Sequence, residues 1–118
     1  MNPNTSEPRP RFVLRLGTHN VCGLSLAEVG GNIQPLLECW EKQKLDIVFI
    51  QEHHLNNIFK TTKAETKLKG WKCYWCLCTR SRGQAGCAVL IRRQLLRSKQ
   101  LVVAVSYTHL RAHETGRN

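Results

Sequence analysis

Glu52 stands one residue beyond an apolar run, Leu45-Asp46-Ile47-Val48-Phe49-Ile50, that reads as a fully buried strand. A carboxylate just past such a strand lies at the carboxyl end of a sheet, where open α/β folds gather their chemistry. An earlier strand pattern, Phe12 to Asn20, also ends on a polar side chain, the amide of Asn20. If the two strands are parallel neighbours, Asn20 and Glu52 converge at one edge. An amide beside a carboxylate suits a hard cation such as Mg²⁺ and a phosphate oxygen. Position alone also allows a plainer reading, in which Glu52 is an ordinary strand-end acid.

The elements that must position this pair follow from the pattern around it. Val21 to Asn32 is a loop carrying Gly23, Gly30 and Gly31. From Ile33 to Lys44, apolar Ile33, Leu36, Leu37 and Trp40 recur at the spacing of one helix face. Asn32 is placed to cap that helix, and Pro35 is tolerated in its first turn. Strand, helix, strand at this spacing is a crossover unit, which makes the two strands parallel. Asn56 to Gly70 reads as a lysine-rich loop with room for a short helix. Trp71–Thr79 and Cys87–Ile91 read as two strands of a hairpin around a turn at 80–86. A fifth strand is expected to begin at Leu101–Val105. The fold class is therefore α/β.

One domain is the expectation for 118 residues, with 42% hydrophobic content sufficient for a core. Residues 1–11 read as a disordered leader without an apolar signal segment, and no apolar stretch reaches membrane-spanning length. The net charge of +10 is unevenly spread. Residues 1–56 hold five Lys/Arg against six Asp/Glu, whereas residues 57–100 hold eleven Lys/Arg against Glu65 alone. That segregation favours a polyanionic partner, nucleic acid above a membrane, against the plainer reading of a solvated basic face. Cys73-x-x-Cys76-x-Cys78 invites a zinc reading, but the stretch is aromatic and apolar with no turn around the thiols. Small buried hydrophobes fit better, and disulfides are not expected. Trp40, Trp71 and Trp75 read as core residues rather than base-stacking surfaces.

Four segments together resemble a known family. They are Leu16-Gly17-Thr18-His19-Asn20-Val21-Cys22-Gly23-Leu24, then Leu45 through Glu52-His53-His54-Leu55, then Gly70-Trp71, then Ser81 through Ile91. In order and spacing they look like the opening half of an endonuclease/exonuclease/phosphatase domain. The nearest likeness is the apurinic-type endonuclease of non-LTR (LINE-type) retrotransposon polyproteins, and it covers about residues 12–104. The resemblance implies a partial two-layered α/β sandwich and a Mg²⁺-dependent endonuclease. That enzyme would nick target DNA for retrotransposition with an attached reverse transcriptase, working inside the cell, with the nucleus one compartment left open. It implies Asn20 as an active-site amide, Glu52 as the metal carboxylate, and the glycine-rich hairpin as a segment beside DNA. Cys22 stands where DNA-repair members carry an aspartate. A histidine after the glutamate is common among retrotransposon members and is not assigned a catalytic role. The family's later tyrosine, Asp-x-Asn pair and Asp-His pair do not follow; Asp46 is the only aspartate. A hydrolase of this kind without its base should not turn over, so the chain reads as a truncated, inactive piece of its parent.

Val105 to Thr115 resembles a translated transposase-type sequencing adapter, so residues 105–118 are read as an artefactual tail in which His109 and His113 form no metal site. Two other functions stay open beside the endonuclease: a non-catalytic basic nucleic-acid-binding module, and a phosphodiesterase or phosphatase of the same fold acting on small substrates.

Overall fold

The computed structural model describes residues 13–77 and 85–104. The element order is β1 (Leu16–Asn20), α1 (Ile33–Lys42), β2 (Ile47–Gln51), α2 (Ile58–Lys67), β3 (Trp71–Cys76), β4 (Cys87–Arg92) and α3 (Arg93–Arg97). The four strands form one sheet in the order β1-β2-β4-β3. β1 and β2 run parallel with Leu16 opposite Ile47 and Asn20 opposite Gln51. β4 is antiparallel to both β2 and β3. The crossover through α1 and the hairpin of β3 with β4 are thus as the sequence pattern predicts.

The core lies on the face of the sheet that bears Val48 and Ile50 of β2 and Ala88 and Leu90 of β4. Trp40 of α1 joins it, 1% exposed, with its ring edge-on to Trp71 at 5.8 Å. A buried indole N–H needs an acceptor, and Trp40 Nε1 donates to Nδ1 of His19 on β1 at 3.1 Å. Ala64 of α2 and Leu68, the residue that caps its carboxyl end, join the same cluster. Its start is fixed by Asn57, whose side chain accepts the Lys60 N–H at 2.9 Å. Glu65 of α2 accepts from the Cys73 N–H and from Trp75 Nε1, both at 3.3 Å, tying the helix to β3. On the opposite sheet face Leu16 and Phe49 remain exposed, an apolar surface of the kind a second layer covers.

Several expectations change in detail. Asn32 makes no side-chain cap to α1. Its amide instead accepts the Ser25 N–H at 2.8 Å and donates to Gly23 O at 2.7 Å, bracing the loop after β1. α1 ends at Lys42, and β2 starts at Ile47 because Asp46 exchanges backbone and side-chain hydrogen bonds with Arg15 instead. The room for a short helix in 56–70 is filled by the ten residues of α2. No strand begins at Leu101: residues 101–104 are irregular, and the chain after β4 turns into the short helix α3, whose Leu95 is buried. The 1–11 leader, Phe12, Cys78 and Thr79, most of the 80–86 turn, and the 105–118 tail with His109 and His113 lie outside the described residues.

Candidate active site

The parallel pairing of β1 and β2 does not stop where the strands end. Val21 N–H donates to Gln51 O at 3.0 Å, Gly23 N–H to Glu52 O at 2.6 Å, and Leu24 N–H to His53 O at 3.0 Å. The loop after β1 is therefore zipped to the loop after β2, and the two polar residues meet. Asn20 Nδ2 donates to Glu52 Oε2 at 3.0 Å. The amide orientation is set by its other end, because Asn20 Oδ1 accepts the backbone N–H of Cys22 at 3.0 Å and a backbone N–H can only donate. The Cys22 thiol lies on the same oxygen at 3.2 Å. Asn20 thus presents its NH₂ to the carboxylate and holds its direction.

The Glu52 side chain is 46% exposed, so the carboxylate is reachable from solvent. Its second oxygen, Oε1, faces His54 Nε2 at 3.8 Å, too long for a hydrogen bond. That Nε2 is buried and has no partner among the described residues. The backbone is unusual at the same place. Glu52 has φ +60°, His54 +65° and Cys22 +49°. Residues with a Cβ cost about 1–2 kcal/mol each in this left-handed region, and such strain clusters at functional sites. Neither the strain nor the gap at His54 could be read from the sequence.

His53 and His54, alike in sequence, part company in the fold. His54 is half-buried at the rim, whereas His53 is fully buried. Burial holds the His53 imidazole below its ordinary pKa of 6.5. The zinc reading of the cysteines gains nothing: Cys73 sits in the core, and burial, with Glu65 nearby, pushes its thiol up to about 12. Cys76 and Cys87 face each other across β3 and β4. Among the described residues no three His, Cys, Asp or Glu side chains gather as a metal cluster. Asp46, the chain's one aspartate, lies at the start of β2, the opposite end from Glu52, and accepts the Arg15 N–H at 2.9 Å. A cavity of about 440 Å³ bordered by Glu41, Lys42, Lys69, Trp71 and Arg92 shares no residue with the Asn20–Glu52 pair.

The basic segment is partly neutralised. Arg92 pairs with Glu41 at 3.0 Å, Arg93 and Lys72 with Glu65 at 3.3 and 3.9 Å, and Lys67 with Glu28 at 3.5 Å. Arg92 also lies over the Trp71 ring at 4.6 Å. Among the described residues Lys60, Lys63, Lys69, Arg97 and Lys99 enter no such pair.

A polar pair at the carboxyl ends of adjacent parallel strands, in a mixed sheet with helices over one face, defines an α/β protein with a strand-end site. The chain belongs to the endonuclease/exonuclease/phosphatase family, whose model matches residues 17–117. Among solved structures it is similar to an AP endonuclease of Leishmania major, with 26% identity and a TM-score of 0.50 over 66% of this chain. It is also similar to the APE2 catalytic domain of Xenopus laevis, with 21% identity and a TM-score of 0.45 over 64% of this chain. The chain spans 23% of the first of these structures and 22% of the second. No curated protein matches the sequence.

Proposed function

We propose that this chain carries the first half of a divalent-metal site that cleaves phosphodiester bonds in DNA, within a longer endonuclease. The observation that carries the reading is the hydrogen-bonded pair of Asn20 and Glu52 at the ends of β1 and β2 in a member of this family. The likeness to an AP endonuclease supports DNA as the substrate class. The finer role proposed is nicking of target DNA for retrotransposition by a polyprotein with an attached reverse transcriptase, which would work in the nucleus.

The donor set fits Mg²⁺. This ion keeps most of its waters and is commonly held by one or two carboxylates plus substrate phosphate oxygens. Glu52 supplies one such carboxylate, on a side chain that is 46% exposed. When bound, the ion would polarise the scissile phosphate and stabilise the leaving oxygen. Asn20 orients the carboxylate through its NH₂, and its oxygen, which accepts the Cys22 N–H, could join the ion on its second lone pair if the Cys22 thiol moves aside. Cations of the 57–100 segment would bind backbone phosphates. A water-activating base and further acids are not supplied by Asp46, which points the chemistry elsewhere in the domain. The 118-residue chain alone is therefore proposed to bind DNA without cutting it.

The concentration of cations in 57–100 keeps a second reading in play, a non-catalytic nucleic-acid-binding module. A phosphodiesterase or phosphatase acting on small substrates is a third. Nicking of supercoiled plasmid by the longer protein, dependent on Mg²⁺ and lost in Glu52→Ala, supports the endonuclease. Binding without metal-dependent nicking supports the module, and turnover of small phosphodiesters alone supports the third. Residues 105–118 are proposed to be an adapter-derived tail. The family match runs across most of that segment, so resequencing the locus is its direct test.

A further inference from the structure

Four segments meet on one residue, His53, three of them on its imidazole. His53 accepts the Leu55 N–H on Nδ1 at 2.9 Å. Its Nε2 lies 2.9 Å from Cys76 O at the end of β3. A backbone N–H only donates and a carbonyl only accepts, so the hydrogen is on Nε2 and the lone pair on Nδ1. The His53 N–H donates to Gly86 O at 3.2 Å, and its carbonyl accepts Leu24 N–H at 3.0 Å. The ring stands edge-on to Trp75 at 5.3 Å. It also fills the space where a side chain on residue 86 would begin: a Cβ on Gly86 would lie 2.3 Å from His53 Cε1, at a φ of +99°. On either side of His53, Glu52 and His54 hold left-handed backbone.

We infer that His53 is a positioning residue for Glu52: its imidazole, seated on Gly86 and bonded to Leu55 and Cys76, holds the left-handed turn that aims the carboxylate at Asn20. Strained backbone persists only where its surroundings over-determine it. The imidazole joins the loop after β2 to the last residue of β3 and packs on Gly86 just before β4, while the His53 backbone ties in the loop after β1, so His53 provides that constraint. The consequence for metal binding rests on the reading of Glu52 as a metal carboxylate; the backbone consequence does not.

The test uses the 118-residue chain. Backbone NMR couplings that fix the sign of φ at Glu52 are measured alongside Mn²⁺ affinity by electron paramagnetic resonance. The forms compared are wild type, His53→Phe, His53→Asn and Glu52→Gln. His53→Phe keeps a ring against Trp75 and deletes both side-chain hydrogen bonds. It should lose the left-handed coupling at Glu52 and weaken Mn²⁺ by about 10- to 100-fold, as loss of a partner behind a metal ligand does. His53→Asn can still accept the Leu55 N–H in an Asx-type turn and should recover part of both. A His53→Phe chain with wild-type coupling overturns the inference. If that variant does not fold, ¹⁵N spectra of the wild-type ring decide: a hydrogen on Nδ1, or exchange between tautomers, overturns it equally. Mn²⁺ affinity unchanged in Glu52→Gln would remove the metal reading and leave the coupling to decide the positioning role alone.

Discussion

Gly86→Ala is the substitution whose cost can be worked most directly from the structure. Gly86 and Gly70 have similar backbone, φ +99° and +90°, so a methyl group strains both alike, by about 1–2 kcal/mol. Their surroundings differ. A Cβ on Gly70 meets nothing within 4 Å, whereas one on Gly86 comes within 2.3–2.7 Å of three atoms of the His53 ring. The ring is fully buried and bonded at both nitrogens, so it has little freedom to retreat. Overpacking of this kind adds about 1–3 kcal/mol. Gly86→Ala should therefore cost about 2–5 kcal/mol against about 1–2 for Gly70→Ala. Urea denaturation of both variants, with matched m-values, measures the difference. A cycle with His53→Ala sharpens it: removing the ring should relieve the clash and leave a coupling of about 0.5–3 kcal/mol. Equal costs for the two glycines, or no coupling to His53, would refute the steric argument and with it the wedge beneath the Glu52 turn.

Stability should also depend on pH through His53. Its folded pKa lies below 6.5 because burial disfavours the imidazolium, so the unfolded chain takes up the proton first. The contribution of His53 is then whole above pH 6.5 and declines as pH falls from there toward the folded value. Denaturation midpoints should fall over that range in wild type and less so in His53→Asn. Cys73, buried with its thiol pushed up to about 12, should resist alkylation in the folded chain, while exposed Cys22 reacts. DNA binding by the chain should weaken steeply with salt, as phosphate contacts by Lys/Arg require, and fluorescence anisotropy at several salt concentrations reads it. Deleting 105–118 should leave both the melting temperature and that binding unchanged; a clear loss of either would mark the tail as part of the protein.

The central crossover was legible because each of its parts is locally specified. Ile47–Gln51 is β-branched and aromatic on both faces, and the Ile33, Leu36, Leu37, Trp40 stripe fits one helix face. Strand ends bearing Asn20 and Glu52 then follow from parallel pairing alone. What escaped was set by tertiary contact. Asn32 has the composition of a cap but finds better partners in Ser25 and Gly23. Arg93–Arg97 is too short for its period to show, and burial of Leu95 decides it. His53 and His54 differ only in which one faces Trp75 and Gly86, information no local pattern holds. The left-handed backbone at Glu52 has no sequence mark either, since it depends on loops that are remote along the chain.

Glu52, held by Asn20, is proposed as the metal carboxylate of a DNA-cleaving site. Its most direct measurement is Mg²⁺-dependent nicking of supercoiled plasmid by the longer protein containing this segment, compared with the same protein carrying Glu52→Gln, an isosteric change that removes the charge. Nicking by the first should require the metal, and it should be lost in the second with DNA binding retained. Equal nicking by the Glu52→Gln protein would contradict that role.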